Sequence, residues 1–167
     1  MLAIAALVLA ADQVSKSLVV ATAPGGAGGG PVSVRLVRNT GASFGIGAGH
    51  PVVITVMAAA VLAVAAGLLA RTRSRAVALF LAAVVGGAAG NLADRLLRSP
   101  GFGRGGVVDW IHMAGYPATF NVADVAIRLG AIGALAAALG AWPRVGRRRA
   151  KDKVLLRSGL RSRTPRG

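Results

Sequence analysis

Four apolar stretches approach the ~20 residues that cross a bilayer, at residues 1 to about 23, 51–70, 76–97 and 124–142. The first is interrupted by Asp12-Gln13-Val14-Ser15-Lys16, the second is clean, the third turns polar only near its end, and the fourth holds Arg128. So many such stretches in so short a chain leave little else to bury them. Between them, Pro24 to Pro31 is a glycine-rich turn, and Val32, Val34 and Leu36 alternate with Ser33 and Arg35 as in a short strand. Gly101, Gly103, Gly105 and Gly106 before Val107-Val108 predict a loop and a second short extended piece. In the third stretch Gly86 and Gly90 form a small-xxx-small pair that admits a neighbouring helix. The pattern predicts an all-α integral membrane protein, with four transmembrane helices and a small β-structure outside the membrane. Residues 1–145 form the membrane domain, and 146–167 a basic, disordered cytoplasmic tail. The first stretch is expected to be a retained helix, because a cleaved signal peptide would have a basic start and no Asp12 or Lys16 where cleavage falls.

Charge sets the expected orientation. The net charge of +15 suggests nucleic acid at first sight, but half of the twenty basic residues lie at or after Arg144, and Arg71, Arg73 and Arg75 crowd one short loop. Membrane proteins keep positive charge in such places on the cytoplasmic side. Both termini are then cytoplasmic, and residues 24–50 and 98–123, with only Arg35, Arg38, Arg98 and Arg104, lie outside. The tail is expected to meet anionic phospholipid, and no nucleic-acid role is expected.

Composition narrows the chemistry. Cysteine and glutamate are absent, and the five aspartates are Asp12, Asp94, Asp109, Asp124 and Asp152. All but Asp152 lie in or beside apolar segments, where a charge is costly. Asn91, Asp94 and Arg95 share one face of the third helix, and Arg95 is a partner for an aspartate; a plainer reading is a polar helix end meeting water. Asp12 and Lys16, at i and i+4, can neutralise each other. Asp109 follows Val107-Val108, and Asp124 follows Phe120-Asn121-Val122-Ala123 at the start of the last span. Singly they read as a turn residue and a helix cap. Together, at one end of the bundle, they are a candidate pair sharing one proton, one activating water and the other protonating. A zinc hydrolase is disfavoured by the lack of a His-Glu-x-x-His motif and by having only His50 and His112. A Ser–Lys dyad using Ser43 or Ser15 with Lys16 stays open.

Five blocks carry a resemblance. Asp12-Gln13-Val14-Ser15-Lys16, Asn39-Thr40-Gly41-Ala42-Ser43-Phe44-Gly45, Gly90-Asn91-Leu92-Ala93-Asp94-Arg95, Val107-Val108-Asp109-Trp110 and Phe120-Asn121-Val122-Ala123-Asp124 resemble, in order, the signature blocks of the lipoprotein signal peptidases. The resemblance implies four membrane helices with a small extracytoplasmic β-structure and a lid segment. It implies an aspartic endopeptidase that removes the signal peptide of prolipoproteins just before a diacylglyceryl-modified cysteine, needing no cofactor or metal. By block, the catalytic pair is Asp109 and Asp124. Asp12, Lys16, Asn39, Asn91, Asp94, Arg95 and Asn121 are support or substrate-binding residues, with Asp94 in a lesser role beside its partner Arg95. Two departures stand out: Trp110 where phenylalanine is usual, and Arg128 one turn after Asp124, which either pairs with it or faces elsewhere.

The expected protein is a monomer in the cytoplasmic membrane of a bacterium, with lipid-modified prolipoproteins as its partners. The alternative is a small ion or solute transporter with intramembrane Asp, Lys and Arg groups as a relay. A lipid- or partner-binding adaptor is a third reading.

Overall fold

The computed structural model describes residues 1–42 and 45–140. Ser43, Phe44 and the basic tail expected from residue 146 lie outside the described residues. The elements run α1 (Leu2–Thr22), β1 (Val32–Asn39), α2 (Pro51–Arg71), α3 (Arg75–Leu97), β2 (Val107–Met113), β3 (Thr119–Phe120) and α4 (Val122–Gly140). All four helices are long and apolar enough to cross a membrane.

The distribution of side chains is inverted relative to a protein dissolved in water. Leu7, Leu18, Val56, Val64, Leu129 and Ile132 are exposed, while Asp12, Lys16, Asp94 and Asn121 are buried. In hydrocarbon this is the stable arrangement, because apolar side chains lose nothing facing lipid and polar ones must be satisfied inside. Small residues let the helices approach. A Cβ on Gly86 would lie 2.5 Å from the Ala5 carbonyl oxygen, and one on Gly90 2.5 Å from Asp12 Oδ2. α1 therefore lies directly on this edge of α3, as the small-xxx-small pair predicts. Gly87, which that pattern does not single out, does the same for α4, where a Cβ would meet the Ala123 carbonyl.

Helix ends follow local chemistry. Pro51 starts α2 from its first turn, and Ser74 caps α3 by accepting from the Val77 amide. The last span starts at Val122 rather than 124, because Asn121 caps it. The β-structure is a three-stranded antiparallel sheet in the order β1-β2-β3. β1 is longer than the alternation of Val32, Val34 and Leu36 suggests, and β3 has no signal in the sequence. β1 carries a bulge: Val34 pairs with Ile111 and Val37 with Asp109, so three steps on β1 match two on β2. Thr55 on α2 donates to the Gly103 carbonyl at 2.8 Å, fastening the loop before β2 to the bundle.

Candidate active site

The site begins with a helix cap. Asn121 Oδ1 accepts from the Asp124 amide at 2.9 Å, and Asp124 Oδ2 accepts from the Asn121 amide at 3.2 Å. This is a reciprocal capping box with aspartate in its third helical position. Asp124 is thus not the cap residue that its position first suggests. The other end of the capping amide reaches across the bundle: Asn121 Nδ2 donates to Asp109 Oδ1 at 2.6 Å. One side chain, fully buried, therefore joins the two aspartates expected to be catalytic, and both line one cavity of about 240 Å³.

Each aspartate has a second amide. Asn39 Nδ2 donates to Asp109 Oδ2 at 3.1 Å, and Asn91 Nδ2 donates to Asp124 Oδ1 at 3.0 Å. Asn39 sits at the end of β1, beside a turn that requires glycine: a Cβ on Gly41 would lie 2.5 Å from the Gly45 carbonyl oxygen. Asp109 is 3% exposed. Burial first, and then the charge of Asp124, push its carboxyl up to about 6 from an ordinary 3.8, against the two amide hydrogen bonds.

Beneath the pair lies an ion cluster. Lys16 Nζ is 2.7 Å from Asp12 Oδ2, 3.0 Å from Asp94 Oδ2 and 2.9 Å from Asn91 Oδ1. Three donors meet three acceptors, so this ammonium is satisfied and has no lone pair to offer as a base. Ser15 Oγ donates to the Asp12 carbonyl. The Ser15–Lys16 version of the Ser–Lys dyad thus has no geometric support. Both carboxylates also reach upward: Asp12 accepts at its other oxygen, Oδ1, from the Ala123 amide at 3.0 Å, and Asp94 accepts at the same Oδ2 from the Val108 amide at 3.0 Å. Each buried aspartate thus clamps the residue immediately before one of the cavity's two aspartates.

One expected pairing, and one that the sequence leaves open, are absent among the described residues. Asp94 pairs not with Arg95 but with Arg98, one turn on, at 2.6 Å. Arg95 instead donates from Nη2 to the Gly41 carbonyl at 2.7 Å, and its buried Nε and Nη1 have no partner among the described residues. The reason is directional: adjacent helical residues point about 100° apart, so Arg95 faces the cavity while Asp94 faces α1 and the loop. Arg128 makes no ion pair with Asp124 among the described residues; its Nη1 donates to Tyr116 Oη at 3.3 Å, and it lies exposed on the cavity's lip. Sequence reading missed Gln13, whose amide donates to Asp12, Asp94 and the Gly90 carbonyl, and Arg98. Gln13 lay in view, inside the polar run that breaks the first span. Among the described residues, no cluster of side chains is fit to hold a metal ion.

The model of the signal peptidase II family matches residues 4–140. The chain belongs to the signal peptidase II family. It is 39% identical over 174 residues to a lipoprotein signal peptidase of Mycolicibacterium smegmatis, covering 99% of this chain and 72% of the relative. It is 39% identical over 120 residues to one of Leifsonia xyli, covering 70% of this chain and 56% of the relative. The chain thus spans little more than half the length of some curated signal peptidase II relatives. Its fold matches a solved bacterial membrane enzyme with a TM-score of 0.70 and 25% identity, over 83% of this chain and 86% of the other. Membership of the signal peptidase II family lends no support to the transporter reading.

Proposed function

We propose that this chain is a membrane aspartic endopeptidase that removes the signal peptide from diacylglyceryl-modified prolipoproteins, cutting just before the lipidated cysteine. The observation that carries the reading is one buried residue, Asn121, holding two carboxyls on one cavity: its side-chain amide donates to Asp109 and its backbone amide to Asp124. Such carboxyls do not easily ionise together, so the pair shares one proton. Asp109, whose burial favours the protonated form, takes the part of the acid, and Asp124 that of the base. Asp124 takes a proton from water as its oxygen attacks the peptide carbonyl, while Asp109 protonates the carbonyl oxygen. As the tetrahedral carbon collapses, Asp124 gives its proton to the departing amine, the C–N bond breaks, and a hydroxyl proton returns to Asp109. Arg95 lines this cavity and is the guanidinium nearest to hand for a substrate carbonyl oxygen. These steps call on no metal or cofactor.

The chain works as a monomer in the cytoplasmic membrane, with its phospholipid around the apolar helix faces. The α2–α3 loop, with Arg71, Arg73 and Arg75 in and around it, faces the cytoplasm with both termini. The sheet and the dyad then face outward, level with the outer leaflet, and the segments around the sheet act as lids. The basic tail faces anionic lipid rather than nucleic acid.

The test is cleavage of a diacylated prolipoprotein peptide in detergent by the wild type, Asp109→Asn, Asp124→Asn and Ser43→Ala. Folded but inactive Asn variants beside an active Ser43→Ala uphold the dyad. Active Asn variants with an inactive Ser43→Ala replace it with serine chemistry.

A further inference from the structure

Asp109 stands between two cavities. The first lies among the helices, with Ala58, Val61, Ala88 and Ile127 in its wall. The second, about 390 Å³, lies beyond the helix ends, walled by β1 and residues around Ala48 and Pro117. Asn39, Asp109, Ala118 and Thr119 line both, so the two meet at Asp109. The outer one is cationic: Arg35 and Arg38 line it, both are exposed, and neither has an ion-pair partner among the described residues.

Their placement depends on the bulge. Residues three apart on a regular strand point to opposite faces. The extra residue between Val34 and Val37 shifts the phase of β1, and both arginines border one cavity. Cleavage before a lipidated cysteine leaves an apolar signal helix on one side and a polar mature segment on the other. The apolar wall of the inner cavity suits the first. The outer cavity is where the second would leave.

Resting on the peptidase reading above, we propose that Arg35 and Arg38 form a specificity site for acidic side chains in the few substrate residues that follow the lipidated cysteine. A carboxylate there would meet two unpartnered guanidiniums, able to bind it with paired N–H donors. Both arginines are exposed, so the preference is moderate and weakens with salt.

The experiment uses two diacylated peptides in neutral detergent, identical except for aspartate or asparagine at the two positions after the lipidated cysteine. The full chain and its Arg35→Gln/Arg38→Gln double variant are compared by kcat/KM. The expected result is about a fivefold preference of the wild type for the aspartate peptide, lost in the double variant and reduced in high salt. Equal rates for the two peptides in the wild type overturn the proposal. So does a double variant that slows both alike with the preference intact, which points to a lipid headgroup on these arginines. Cleavage of neither peptide by the wild type refutes the peptidase reading itself, and this site with it.

Discussion

Replacing Asp109 by asparagine should abolish cleavage and, near neutral pH, make the protein more stable. The wild-type carboxyl sits at about 6 in the fold against an ordinary 3.8. The folded state therefore holds the proton more tightly than the unfolded chain. The stability linked to this group is fully present below pH 3.8 and is lost as pH rises through about 6. At about 1.4 kcal/mol per pH unit, that gap amounts to about 3 kcal/mol. Asparagine has no charge to bury and escapes the loss. It does give up a hydrogen bond, because Asn39 and Asn121 each donate to a different oxygen of Asp109 and an amide has only one. That costs about 1 kcal/mol. Asp109→Asn should thus be about 2 kcal/mol more stable than wild type near pH 7.5, and about 1 kcal/mol less stable near pH 3. Unfolding in detergent, followed by tryptophan fluorescence with Trp142 replaced by phenylalanine so that Trp110 alone reports, measures both. An offset between variant and wild type that does not change with pH would refute the reasoning, because burial of a charge at Asp109 would then not be what separates them.

Three further outcomes are expected. Lys16→Met strands Asp12 and Asp94 without their shared cation and should cost about 3–5 kcal/mol, measured as a lowered unfolding midpoint. Asn121→Ala should cut kcat/KM about a hundredfold through loss of alignment. Because the Asn121 hydrogen bond holds the Asp109 carboxyl down, its removal should also move the alkaline limb of the pH–rate profile upward. Gly86→Ala should destabilise by about 1–3 kcal/mol, since the new methyl would lie 2.5 Å from the Ala5 carbonyl oxygen, whereas Gly67→Ala, whose nearest neighbour is the end of Arg71 at 3.5 Å, should be tolerated in the same unfolding assay.

The helices were legible because apolar length is a one-dimensional property, and their ends shifted by only a residue or two. The closeness of α1 and α3 was legible in Gly86 and Gly90 for the same reason. Pairings that depend on direction were not. Arg95 stands next to Asp94 in the chain, yet the helical turn sends them to different neighbours, and Arg98 takes the place expected of Arg95. Asp109 and Asp124 could each be placed at one end of the bundle. What joins them is the reach of a buried amide, a distance that spacing along the chain does not contain. The bulge in β1 was likewise hidden, because alternation around Val34 continues on either side of it without announcing the extra residue.

The two clamps beneath the dyad bear on biosynthesis. The amide before Asp124 is held by Asp12 from the first helix, and the amide before Asp109 by Asp94 from the third. A single lysine, on the first helix, bridges both clamps, with Arg98 as a second cation on Asp94. A chain leaving the ribosome makes Lys16 early and Asp124 late, and nothing in between can complete the arrangement. Until the last span has entered the membrane and met the first, neither carboxyl is set. On the peptidase reading proposed above, a half-made chain lacks the set pair of carboxyls and should cut nothing.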